Sequence, residues 1–195
     1  MTTLNGIDVS NVNGPFNFAP WKGKLDFAWV KVSEGTGFAD GRAAANIAAA
    51  RKLGLVVGGY HFLHAGSSGS AQAEAFLSHA HTAGLRPGDL IALDAEDLGL
   101  DGEDSQQMNL TASAFAAELR RHFAGFSPFL YTEISMAPSL TSMGSCPLWL
   151  ANPSGMAVKS IGPWKQVSME QTSQRGIDCD VFYGDAQALK KLAFP

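Results

Sequence analysis

Cysteine is nearly absent: Cys146 and Cys179 are the only two in 195 residues. This excludes a disulfide-dense scaffold. A four-ligand Cys/His zinc site is excluded too, because no cluster has the required spacing. Two free thiols in the core is the simplest reading, and a single bridge is the alternative. Charge is also scarce, at 16% of residues, so Ser, Thr, Asn, Gln and Gly must supply much of the polar surface. A net charge of -4 lacks the basic excess that nucleic acid selects, so no nucleic-acid partner is expected. No apolar run approaches ~20 residues, which argues against membrane insertion. The opening "MTTLNGIDVS" has neither the basic nor the apolar region of a secretory signal. His61 and His64 form H-x-x-H, with His79 and His81 nearby, but the pattern is too generic to imply a metal. No metal and no cofactor are expected, and the chain is expected to be a monomer.

What is present is a core. Hydrophobic residues make up 46% of the chain, which suits one domain over residues 1–195. Short apolar runs read as strands: "GIDVS" (6–10), "FAWVKVSEG" (27–35), "LVVGGYHF" (55–62), "LIALDAE" (90–96), "PFLYTE" (128–133) and "PLWLAN" (147–152). "KQVSMEQ" (165–171) and "GIDCDVF" (176–182) are weaker candidates for two more. Helical patterns fall between them. "RAAANIAAARKLG" closes on Gly54, and "SAQAEAFLSHAHTAG" closes on Gly84 with Ala71, Ala75, Leu77 and Ala80 at helical spacing. "TASAFAAELRRHFAG" puts Arg120, Arg121 and His122 in its last turn, where the helix dipole favours cations. Beyond residue 126 convincing helices become scarce. Alternating strands and helices argue a parallel α/β architecture. Eight strands suggest an irregular TIM-like (β/α) barrel, with short or missing helices in its second half.

"LIALDAEDLG" (90–99) carries the chemistry. A run suited to the core ends in Asp94, Glu96 and Asp97. Strand alternation puts Asp94 and Glu96 on one side with Ala95 opposite, their α-carbons about 6.5–7 Å apart. Two carboxylates held so close in a partly dry site resist joint ionisation, so one keeps a proton near neutral pH. That proton is what a general acid needs at a glycosidic oxygen. Asp97, Asp101, Glu103 and Asp104 read instead as loop or helix-capping residues. Asp8 lies in the first strand, Glu34 ends the second, and Asp178 lies in the last. Barrel strands open on one face, where such residues can converge on a ligand. Tyr60 and Tyr131 offer hydroxyls near strand ends, while Phe62 and Trp149 read first as core.

Taken in order, "GIDVS", "VKVSEGTGFAD", "GGYHFLHAGSSGSAQAEAFL", "LDAED", "FLYT", "LWLAN" and "GIDCDVF" resemble the glycoside hydrolase family 25 lysozymes, the Chalaropsis-type muramidases. The resemblance spans essentially the whole chain. It implies a flattened, irregular barrel that cleaves the β-1,4 bond between N-acetylmuramic acid and N-acetylglucosamine in bacterial peptidoglycan glycan strands. It also implies that Glu96 is the general acid, that Asp94 supports charge or orients the substrate N-acetyl group, and that Asp8 and Asp178 line the site. Glu34 and Tyr60 match positions near the same groove, and together with Tyr131 and Gln171 they make the expected substrate-binding set. Two departures stand out. The family usually has Trp-Gln-Tyr where this chain reads Glu170-Gln171-Thr172, and often Asn where Asp180 stands. The "GID" context favours Asp178 over Asp180. A phage-endolysin-like catalytic domain acting on the bacterial cell wall, or part of a secreted enzyme, is the expected setting.

Two routes stay open at this level. Direct inverting displacement needs room for a water between carboxyls roughly 6.5–9.5 Å apart. In the substrate-assisted route the N-acetyl oxygen attacks the anomeric carbon, and the tight Asp94–Glu96 spacing favours this one. A non-catalytic cell-wall-binding barrel and a chitinase-like hydrolase are the alternative functions, since a fold alone never proves catalysis.

Overall fold

Apolar side chains on both faces of short runs require strands covered on both sides, and the chain meets that demand by closing its sheet. The computed structural model describes residues 2–195. In chain order its strands are β1 (Leu4–Val9), β2 (Phe27–Glu34), β3 (Phe38–Ala39), β4 (Val56–Phe62), β5 (Leu90–Asp94), β6 (Phe129–Glu133), β7 (Leu148–Ala151), β8 (Met169–Ser173) and β9 (Asp178–Phe182). The α-helices are α1 (Ala43–Lys52), α2 (Gly69–Ala83), α3 (Ser105–His122) and the short α4 (Ala186–Lys190). Eight strands form a ring in the order β1-β2-β4-β5-β6-β7-β8-β9, which closes by β9 pairing with β1. β3 stands outside the ring as a hairpin flap on β2. No helix among the described residues is long and apolar enough to cross a membrane.

All ring neighbours are parallel except β9, which runs antiparallel to both β8 and β1. The uniformly parallel barrel expected from the alternation is therefore wrong at its last strand. The reason is the connection. Only residues 174–177 join β8 to β9, and a parallel crossover needs a dozen or more. A link this short makes a hairpin. As expected, helices thin out in the second half: α1, α2 and α3 cover the first half, and after β6 the links are 3-10 turns and irregular loop until α4. α3 starts at Ser105, earlier than the apolar pattern suggested, because Asp104 accepts the Gln107 N–H at 2.8 Å and caps it. β8 begins at Met169 rather than 165, and β3 and α4 left no readable periodicity. On α2 the buried line is Gln72, Ala73, Phe76 and Ala80, with Ala71 exposed. Gln72 turns inward because it bonds His64 through both its amide atoms.

Two apolar cores result. One lies between barrel and helices and includes Ile7, Val30, Ile47, Phe76, Leu93 and Phe115. The other fills the barrel itself. Trp29 stacks on Trp149 with centroids 5.0 Å apart, and Phe129 meets Trp29 edge-on at 5.4 Å. Glycines make room for these rings: a Cβ on Gly6 or Gly58 would lie 2.1 Å from Phe27 or Trp29 respectively. This plug closes the N-terminal half of the barrel. Polar side chains are left to the other end. Cys146 is buried in the outer core, Cys179 is half-buried, and both thiols are free.

Candidate active site

Above the plug, inward-facing positions change from aromatic to acidic. On β1 the inward series Leu4, Gly6, Asp8 ends in a carboxyl, and on β5 Leu90, Ala92, Asp94 does the same. Past β5 the backbone stays extended at Glu96 (φ -135°, ψ 169°), held by Ala95 N–H donating to Tyr131 O at 2.9 Å. Ala95 packs into the outer core, so Asp94 and Glu96 face the barrel mouth together. Because β9 runs antiparallel, its first residue, Asp178, pairs with Asp8 and reaches the same mouth. The ring order sets β9 diametrically across from β5. Asp178 and the Asp94–Glu96 pair are thus on opposite walls.

The pocket they line holds about 140 Å³, with Asp8, Tyr60, Asp94, Glu96, Tyr131 and Asp178 among its walls and Trp149, Gln171 and Gln174 completing it. Gln171 organises one side: its amide donates to Asp8 Oδ2 at 2.8 Å, and its Oε1 accepts from Tyr131 OH at 3.1 Å and Gln174 Nε2 at 2.9 Å. Asp180 lies deeper, at 1% exposure, and accepts the Trp149 indole N–H at 2.9 Å. This separates the two candidates of the last strand. Asp178 meets the pocket, and Asp180 anchors the aromatic floor. A larger hollow of about 800 Å³ lies near the opposite end, lined by Trp164, Lys165, Phe182, Tyr183 and Lys191 among others. It contains no pair of carboxyls, so chemistry rather than volume identifies the site.

Burial and mutual repulsion decide the protonation of these acids. Asp8 is pushed up to about 7, first by burial and then by Asp178, against the opposing Gln171 hydrogen bond. Glu96 is pushed up to about 7 by burial and by Glu133. Asp94 rises well above the ordinary carboxylate range through burial, Glu96 and Asp8, and its Oδ1 has no hydrogen-bond partner. Asp180 rises likewise through burial and Asp8, and burial alone lifts Asp178. The Asp94–Glu96 pair therefore keeps a proton into the neutral range. Burial and the nearby acids also raise the Tyr60 and Tyr131 phenols, so both remain neutral hydroxyl donors.

Of the eight residues picked out in the sequence, Asp8, Tyr60, Asp94, Glu96, Tyr131, Gln171 and Asp178 line this pocket. Glu34 does not. Its Oε2 receives Lys31 Nζ at 2.6 Å and its Oε1 contacts His64 Nε2 at 2.9 Å, so both oxygens are engaged beside the mouth. Glu170 and Thr172 alternate with the inward Gln171, so the departure from Trp-Gln-Tyr falls outside the pocket; Glu170 bonds Asn152 and Tyr183 instead. Sequence reasoning missed Gln174, whose loop position gave no periodic signal. It also placed Trp149 in the core, which is half of the answer: the ring packs on Trp29 and Tyr131 and also floors the pocket. His61 is a satisfied core histidine, with Nδ1 2.8 Å from Ser33 Oγ and burial holding its pKa down to about 3. Asp104 caps its helix as expected, while Asp101 contacts His64 Nδ1 at 2.7 Å.

A barrel mouth that holds a raised carboxyl beside a second acid, over an aromatic floor, has the arrangement that glycoside hydrolysis uses. The chain belongs to glycosyl hydrolases family 25, whose model matches residues 7–181. It is 31% identical over 212 residues to an N,O-diacetylmuramidase from Chalaropsis sp, covering 98% of this chain and 99% of that protein. A shorter match, 41% identical over 78 residues, covers 39% of this chain and 26% of lysozyme M1 from Streptomyces globisporus. Among solved structures, a family GH25 lysozyme from Aspergillus fumigatus superposes with a TM-score of 0.83 at 31% identity, over 100% of both chains.

Proposed function

We propose that this glycoside hydrolase is a lysozyme of the N-acetylmuramidase type, which hydrolyses the β-1,4 bond between N-acetylmuramic acid and N-acetylglucosamine in bacterial peptidoglycan. The observation that carries the reading is Glu96, a carboxyl pushed up to about 7 beside the buried, unpartnered Asp94 at the barrel mouth. In this reading Glu96 is the general acid. The substrate acetamido oxygen attacks the anomeric carbon as the glycosidic bond breaks, and Glu96 gives its proton to the leaving oxygen. The five-membered ring that forms carries positive charge, which ionised Asp94 offsets. Water then opens that ring while Glu96 takes up a proton, so the first product is the β-anomer.

Substrate itself helps to set the charges. Free Asp94 favours its protonated form because burial and the neighbouring Glu96 and Asp8 penalise its charge, and no donor at Oδ1 offsets them. An acetamido N–H delivered to that oxygen favours the carboxylate instead, moving the shared proton toward Glu96, where the reaction needs it. Asp8 and Asp178 add negative potential around the developing cation, while Tyr60, Tyr131 and Gln171 supply neutral contacts to the sugar.

Mass spectrometry of muropeptides released from purified walls tests the assignment: new reducing ends on muramic acid are expected, and reducing ends on glucosamine would overturn it. One observation favours a second route. Asp178 faces the pair from the opposite wall, where a base activating water for direct displacement would stand. Proton NMR of the first product separates the routes, since direct displacement gives the α-anomer.

A further inference from the structure

Beside the acidic mouth, on the strand next but one to the Asp94–Glu96 pair, stands Lys31. Lys31 continues the inward face of β2 after Phe27 and Trp29, and pairs in register with Tyr60. Its side chain is only 13% exposed. The ammonium lies 4.8 Å from the Phe62 ring centroid and 5.8 Å from that of Phe38, on the β3 flap. Glu34 Oε2 fixes it at 2.6 Å, and a relay continues through His64 to Asp101. Phe62 in turn pairs in register with Asp94. The cation is thus clamped on the strand next but one to the acid pair, and its charge opposes protonation of both Asp94 and Glu96.

We propose that Lys31 is a positioning residue for the acid pair: a clamped, partly neutralised cation that keeps one carboxyl of Asp94 and Glu96 available in its ionised form, with Glu34 setting how much of that charge the pair feels. The proposal rests on reading Glu96 as the acid. Burial and the surrounding acids, Asp8 on β1, Asp97 just after β5, Glu133 on β6 and Asp178 on β9, all push the pair toward double protonation, which would leave no charge to offset the cationic intermediate. Lys31 supplies the opposing field without touching substrate. The engagement of Glu34 has the same explanation. A free ammonium beside the pair would ion-pair with it and drive both carboxyls to ionise, removing the acid. Glu34, itself held below its ordinary range mainly by Lys31 and His64 against burial, tempers that charge.

Carbon-13 NMR of glutamate-labelled protein reads the Glu96 carboxyl directly, its resonance assigned by its loss in Glu96→Gln. Lys31→Met keeps the stem between Phe38 and Phe62 and removes the charge. It should raise the Glu96 titration by about one pH unit, the lower end of what a nearby opposite charge contributes. Lys31→Arg should leave it near wild type, and Glu34→Gln should lower it. An unmoved Glu96 titration in Lys31→Met, or an equal shift in Lys31→Arg, would overturn the proposal. Lys31→Gln serves in the same role should the Met variant not fold. The alkaline limb of the pH–rate profile should move with the titration. A titration that moves while the limb stays put leaves Lys31 in its role and removes Glu96 from the acid's.

Discussion

Asp8→Asn tests whether the barrel tolerates its acids at a cost in stability. Asp8 titrates near 7 against an ordinary 3.8. Between those values the folded protein holds a proton that the unfolded chain has lost, so stability falls as pH rises through the window. At ~1.4 kcal/mol for each pH unit, ionised Asp8 costs the fold ~4 kcal/mol above pH 7. Asn removes that cost. Its amide must still satisfy Gln171, whose Nε2 now donates to Asp8 at 2.8 Å, and imperfect replacement loses ~1 kcal/mol. A net gain of ~2–3 kcal/mol remains, or roughly 5–10 °C in Tm for a domain of this size. Urea unfolding followed by tryptophan fluorescence should show the gain at pH 8 and almost none at pH 4, while wall lysis is lost. A variant less stable than wild type at pH 8, or one with the same gain at pH 4, would refute the reasoning and make Asp8 a structural residue.

Glu96→Gln should keep the fold by circular dichroism and lower kcat by at least ~10²-fold; near wild-type lysis by a folded variant would remove it from the acid's role. Because the acid must be protonated, and Glu96 titrates near 7, kcat/KM should fall about tenfold per unit well above that pH; a rate still flat at pH 9 would contradict the assignment. Asp94→Asn keeps a hydrogen-bonding group but removes the charge, so kcat should drop steeply with little change in substrate binding, and a KM-only effect would count against it. Arg51→Ala breaks the bidentate pair with buried Asp89, at 3.0 and 2.8 Å, far from the mouth. With Arg51 a quarter exposed and Arg86 N–H still donating to Asp89 at 2.9 Å, the change should cost ~1–3 kcal/mol of stability with kcat unchanged in the folded protein, measured by denaturation and by lysis at 25 °C.

Much of this was readable along the chain. Six of the eight barrel strands announced themselves by apolar runs and the last two only weakly, while period-two alternation within "LIALDAE" put Asp94 and Glu96 on one side before any fold was known. Those are local properties: a side chain's face depends only on parity within its own strand. For the same reason Glu170 and Gln171 had to face opposite ways, and the Gly-terminated Ala-rich segments had to be helices. The antiparallel last strand was missed, although the strands read at 165–171 and 176–182 left only four residues between them, too few for a parallel crossover.

Only closure of the ring brought Gln171 to Asp8, 163 residues apart, and set Asp178 across the mouth from Glu96. Closure also divided Asp178 from Asp180, because one meets the pocket and the other meets Trp149 beneath it. Glu34 bonds Lys31 and His64 rather than lining the pocket, and its own position in the chain could reveal neither partner. The charge states are the least local property of all. The i, i+2 spacing of Asp94 and Glu96 already carried their mutual repulsion. But the burial that lifts every one of these carboxyls, and the acids from other strands that add to it at Asp8, Asp94, Glu96 and Asp180, exist only in the folded barrel.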